Sequence, residues 1–87
     1  MSEEELIKAF MKHGFERETA RHLARLFLYV CGKGTLEKWE VKRWQSLNIL
    51  DEYGQLLVGS DEDSKSDLFW IMLGLTWEGL VKRSIEG

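Results

Sequence analysis

Proline is absent from the chain, cysteine occurs once, histidine twice, and the side-chain amides amount to one Asn and two Gln. Each scarcity closes something off. Without proline, a repeat or a linker, nothing marks a domain boundary, and the length fits one domain, 1–87, with a small core. A lone Cys31 can form no disulfide within the chain, which points to a reducing compartment. With only Cys31, His13 and His22 available, no CxxC or HxxxH spacing arises, and no zinc site is expected. The longest nearly uninterrupted apolar run, 68–77, is about half of the ~20 residues that span a bilayer. Residues 1–12 begin with Glu3-Glu4-Glu5 rather than with basic residues and an apolar core, so no signal peptide is expected. The expected location is the cytoplasm. Abundant charge with few amides is also the balance of hyperthermophile proteins.

Catalytic signatures are missing as well. Gly32-Lys33-Gly34 lacks the rest of a phosphate-binding loop and is better read as a helix stop. An EF-hand counted from Asp61 puts Lys65 at a ligand position, Ser66 where Gly is needed and Met72 where Glu is needed. Cys31 follows an apolar run and is read as buried. His22, beside Arg21 and Arg25, is read as a surface or boundary residue. No Ser-His-Asp set can be placed. Neither an enzyme nor a cofactor is expected.

What the chain does have is charge, unevenly placed, and many aromatics. The net charge is −3. Residues 8–43 carry nine Lys/Arg against four Glu, while residues 44–63 carry five carboxylates and no cation. A localised basic segment matters more for nucleic acid than the total. Four Trp, four Phe and two Tyr are heavy for so small an interior, which suggests aromatic surface buried between subunits.

Helical periodicity covers the first half. Ser2 with Glu5 fits a capping box, Leu6, Ile7, Phe10 and Met11 recur at helical spacing, and Gly14 can stop the helix, predicting 3–13. A second helix is predicted at 16–31, ended by Gly32. Thr35 is the expected cap of a third, 36–52, with Leu36, Trp39, Trp44, Leu47 and Leu50 on one side and Lys38, Lys42 and Gln45 on the other. Two short apolar runs, 55–58 and 68–73, flank a polar tip at 60–66 and read as a β-hairpin, followed by a short helix at 77–84. The competing reading makes 68–82 a single helix in an all-α bundle, at about 1 kcal/mol each for Gly74 and Gly79.

Leu50-Asp51-Glu52-Tyr53-Gly54-Gln55-Leu56 resembles the recognition-helix exit of winged helix-turn-helix domains, and Leu75-Thr76-Trp77-Glu78-Gly79 resembles their Leu-Thr-x-x-Gly after the wing. The likeness covers residues 47–81. It implies an α+β winged helix of three helices, a β-hairpin wing and a short C-terminal helix, and a small transcriptional regulator binding duplex DNA. By that resemblance helix 36–52 would enter the major groove, with Lys38 and Lys42 on phosphate or guanine, Gln45 on adenine, and Ser46 at the edge. Arg17, Arg21 and Arg25, four apart, would neutralise phosphates. A solvated helix face gives the same patterns.

The tip departs from the family. It sets Asp61, Glu62, Asp63 and Asp67 against one cation, Lys65, and carboxylates repel phosphate. A protein–protein interaction module without DNA contact is therefore the alternative function. A homodimer is expected in either case, formed partly through helix 1 and the aromatics of 68–77.

Overall fold

A computed structural model describes residues 2–57 and 66–86, with side chains to 82. The chain forms four helices: α1 (Glu3–Lys12), α2 (Arg17–Val30), α3 (Lys38–Ser46) and α4 (Asp67–Glu86). The first two form where the periodicity placed them. The Ser2 hydroxyl accepts the Glu5 N–H at 3.2 Å and starts α1, and three glutamates occupy its first turn, where the helix dipole favours anions. Gly14, at φ 101°, turns the chain out of α1. Gly32, at φ 76°, does the same after α2, with the Lys33 N–H returning to Leu28 O at 2.8 Å.

α2 is the centre of the molecule, and both α1 and α4 pack against it. Leu6, Ile7 and Phe10 of α1 meet a face of α2 carrying Ala20, Leu23, Ala24 and Leu26. Small residues on α2 let its neighbours approach closely. Trp44 from α3, and Phe69, Trp70, Leu73 and Trp77 from α4, complete the core.

The second half corrects the winged-helix expectation. Among the described residues there is no strand, only one isolated antiparallel bridge, Leu50 to Leu56, and the fold is all-α. The run expected as a second strand, 68–73, lies inside the twenty-residue helix α4. A short apolar run has no alternation to separate strand from buried helix, so packing decides. Gly74 turns from liability to requirement: a Cβ there would lie 2.5 Å from the Phe15 ring and 2.8 Å from Leu23 Cδ1. Thr76 caps nothing. Its hydroxyl donates back to Met72 O at 2.9 Å within the helix. Residues 58–65, which hold most of the expected tip and Lys65, lie outside the described residues.

α3 is also shorter than expected, ending at Ser46 rather than 52, and its cap is Glu37 rather than Thr35. Asn48 sits at φ 60°, a left-handed conformation that stops a helix. The Asp51 carboxylate then accepts the N–H groups of Tyr53 and Gln55, each at 2.9 Å, forming a local turn. The Tyr29 hydroxyl donates to Gly54 O at 2.5 Å and ties this turn to α2.

Two smaller expectations are corrected too. Cys31 is exposed at the end of α2, because the helix stops before its apolar face can cover it. The aromatics of 68–77 are not surplus: Phe69, Trp70 and Trp77 are buried in the chain's own core. Among the described residues no helix is long and apolar enough to cross a membrane.

Candidate functional site

The basic residues on α2 and α3 do not form one free cationic surface. Arg17 pairs with Glu4 at 3.1 Å and Arg21 with Glu18 at 2.7 Å. Arg25 is held more firmly. Its Nε lies 3.1 and 3.0 Å from the two Glu40 oxygens, and a second guanidinium nitrogen donates to Oε1 at 2.8 Å. The arginines expected to meet phosphate are thus each matched by a carboxylate. Lys38 and Lys42 are exposed on α3, as the pattern placed them. The Gln45 amide donates to Asp51 O at 2.8 Å, and the Ser46 hydroxyl donates to Arg43 O at 2.7 Å. Both side chains serve the end of α3.

Glu40 is the electrostatic centre of the α2–α3 contact. It is 1% exposed, a position a carboxylate holds only when its oxygens are fully used. Besides Arg25, it accepts the Glu37 N–H at 3.2 Å, and His22 Nδ1 lies 3.2 Å from Oε2. Burial works against ionisation, but the bonds from Arg25, the Glu37 backbone and His22 together hold the carboxyl below its usual range. Burial pulls His22 down as well, against the opposing hydrogen bond and charge of Glu40. The same carboxylate holds Arg25 above its usual value.

Aromatic rings roof this cluster. The His22 ring lies 4.7 Å from Trp77, tilted by 35°, and meets Trp39 edge-on at 5.3 Å. Trp77 in turn packs on Trp44 at 4.3 Å. The Arg43 guanidinium sits 5.2 Å from Trp39 and 5.3 Å from Trp77, a cation–π arrangement that covers their outer side. Chemically this is a brace. An ionised carboxylate with its lone pairs engaged is a poor proton acceptor, and the rings seal it from water. Among the described residues no group of three or more His, Cys, Asp or Glu is placed to hold a metal.

A different kind of surface lies on α4. Phe69, Trp70, Leu73 and Trp77 point inward, yet Leu68, Met72 and Leu75 are 77%, 53% and 59% exposed. These positions follow i, i+4, i+7 and share one face. Gly79 continues the line, and a Cβ built on it would meet nothing within 4 Å. Lys82, also exposed, continues the line, and exposed Asp67 directly precedes it in the chain.

Sequence reasoning missed both features. His22 was expected at the surface or boundary, and Trp39, expected on the buried side of its helix, is 46% exposed. The readable clue to the brace was Glu40 three residues after Glu37, beside a His and an Arg on α2 in need of an anion. The clue to the stripe was the absence of polar alternation in 68–75, which marks a helix apolar all round. No family model, curated protein or solved structure matches this chain; its own geometry is the ground for a functional reading.

Proposed function

We propose that this chain is a helical protein–protein interaction module that binds through the outer face of α4. The observation that carries the reading is the exposed stripe Leu68, Met72 and Leu75, on a helix whose opposite face already fills the core. Burying such a side chain completely contributes about 1.5–3 kcal/mol. Weighted by the exposed fractions, the stripe withholds on the order of 4 kcal/mol from the isolated chain. Scattered apolar residues need no explanation, but a line of them on one face marks a contact surface. The ion-paired arginines favour the same reading, since a phosphate would have to displace a carboxylate from each.

Duplex DNA as a partner is the second reading. Its support is that Lys38 and Lys42 are exposed and carry no carboxylate partner among the described residues. Two phosphate contacts would give a salt slope of only about −1.8, measurable by a mobility-shift titration at two salt concentrations.

A soluble paramagnetic probe tests the interaction reading. In a dilute sample the methyl signals of Leu68, Met72 and Leu75 should broaden strongly, while those of Leu23 and Leu73 stay sharp. Protection of the stripe to the level of Leu73 would mean that the chain covers it itself, and the reading fails.

A further inference from the structure

We infer that the outer face of α3 binds single-stranded nucleic acid, with Trp39 stacking on a base and Lys38, Lys42 and Arg43 holding the phosphates around it. This surface is separate from the α4 stripe, and the inference is independent of the reading given for that stripe. Charge comes first. At about 100° per residue, an arc of about 160° on α3 takes in Gln45, Lys38, Lys42, Ser46, Trp39 and Arg43, and no carboxylate. Glu40 is on the buried side, and Glu37 at the N-cap shares a hollow with Arg25 and Glu3 instead. Lys38, Lys42 and Arg43 have no carboxylate partner among the described residues, whereas all three arginines of α2 do. In a chain of net charge −3, this cationic face is left unneutralised, and its complement is a polyanion. Asp51 and Glu52 line the hollow beside Gln45 and bound the face there. Glu18, which touches the His22 ring next to Trp39, is already held by Arg21.

The aromatic residue decides which polyanion. Trp44, Trp70 and Trp77 are buried, but Trp39 is 46% exposed, although the His22 ring and the Arg43 guanidinium both lie against it. Positions three and four apart are neighbours on a helix, so Lys42 and Arg43 flank the indole, and Lys38 adjoins it in the chain. A planar ring among three cations matches a chain in which planar bases alternate with phosphates. Only a single strand offers both. In a duplex the base faces are stacked on each other, and an acidic peptide brings charge without rings. A base lying on Trp39 leaves its neighbouring phosphates within reach of the long Lys and Arg side chains. Arg43, against the same ring, adds a guanidinium on which bases also stack. One base and about three phosphates make a short, weak site. Its dissociation constant should be on the order of 100 µM at about 20 mM salt, with a salt slope near about −2, from roughly 0.7 per phosphate.

Fluorescence anisotropy of a labelled ten-nucleotide oligothymidylate, titrated with the whole chain at about 20 and 60 mM salt, tests the proposal. Binding should saturate at the lower salt and weaken about tenfold at the higher. Trp39→Ala should weaken it at least about fivefold and leave the salt slope unchanged, since stacking carries no charge. Trp39→Phe keeps a ring and should bind within about threefold of the unmodified chain. Lys38→Ala with Lys42→Ala, both at exposed positions, should cut the slope by about 1.4. Lys12→Ala removes a charge from α1 and should leave the slope unchanged. Competitors of the same length separate the alternatives. An abasic strand should bind the unmodified chain as weakly as oligothymidylate binds Trp39→Ala, a comparison that needs no variant to fold. A duplex should be indifferent to Trp39→Ala. A parallel series with oligouridylate identifies RNA or DNA as the source, by whichever strand binds tighter. No binding of either strand up to about 2 mM chain overturns the proposal. An abasic strand bound as tightly as oligothymidylate, or a Trp39→Ala variant that binds like the unmodified chain, overturns the stacked single strand and leaves the duplex reading. Oligoglutamate bound as tightly as either strand makes the partner an acidic peptide and overturns nucleic acid.

Discussion

Glu40→Ala should be the most damaging single substitution in the molecule outside the apolar core. Removing one partner of a buried ion pair costs about 3–5 kcal/mol, because the other charge is left without compensation. Here the orphaned Arg25 keeps a 26% exposed side chain and can partly rehydrate, which favours the lower end. His22 at 5% exposure cannot reach water, and an unmade buried hydrogen bond costs about 1–3 kcal/mol. The Glu37 N–H at the start of α3 also loses its acceptor. The expected loss is about 3–4 kcal/mol, against roughly 4–13 kcal/mol for a whole domain of this length. The melting temperature should fall by about 12–30 °C. Urea unfolding at pH 7.5 reads the effect through tryptophan fluorescence, since Trp39 and Trp77 both pack on His22. Arg21→Ala is the control, an exposed pair worth less than about 1 kcal/mol. A double-mutant cycle with Arg25→Ala should show coupling above about 1 kcal/mol. A Glu40→Ala loss below about 1 kcal/mol, or an additive cycle, would refute the claim that this carboxylate braces α2 to α3.

Acid should weaken the fold in two stages. The folded-state pKa of His22 is depressed, chiefly by burial, so the unfolded chain takes up the proton first and stability falls as pH drops below about 6.5. Glu40 is also depressed, so its contribution is intact above about 4.5 and is lost as pH falls further. Urea midpoints between pH 8 and 4 should show both stages, and His22→Gln should flatten only the first; a flat profile through pH 6 in the unmodified chain would rule out a buried neutral His22. Gly74→Ala and Gly79→Ala should act in opposite directions despite lying on one helix. The first drives a methyl into Phe15 and Leu23 and should destabilise by about 1–3 kcal/mol. The second meets open space and should stabilise the dilute monomer by up to about 1 kcal/mol. Thermal melts of both variants check this, and equal shifts would contradict the packing described.

Local signals were legible where they act alone. Ser2, Gly14 and Gly32 punctuate α1 and α2 through the backbone, and the sequence placed those boundaries within one or two residues. The stretch from Leu47 to Trp77 was not legible in this way. Its apolar runs satisfy a strand or a helix equally well, and the deciding contact, Gly74 against Phe15 and Leu23, joins residues far apart in the chain. The resemblance to a winged helix drew on turn residues such as Asp51 and Gly54, which here build a tight local turn instead. The positions of Lys38 and Lys42 were readable from helical spacing. The engagement of Arg25 by Glu40 was not, because it depends on how α3 docks.

That docking bears on how the molecule opens. α3 has nine residues, fewer than the ~12–15 at which an isolated helix becomes even marginal in water. The acceptor for its first turn is the same carboxylate that grips α2. Fraying of this helix from its start is therefore coupled to loss of its polar contact with α2, while Trp44 still anchors it in the core. The amides bonded from Val41 onward should owe much of their protection from solvent exchange to the brace, and lose it when the brace lets go.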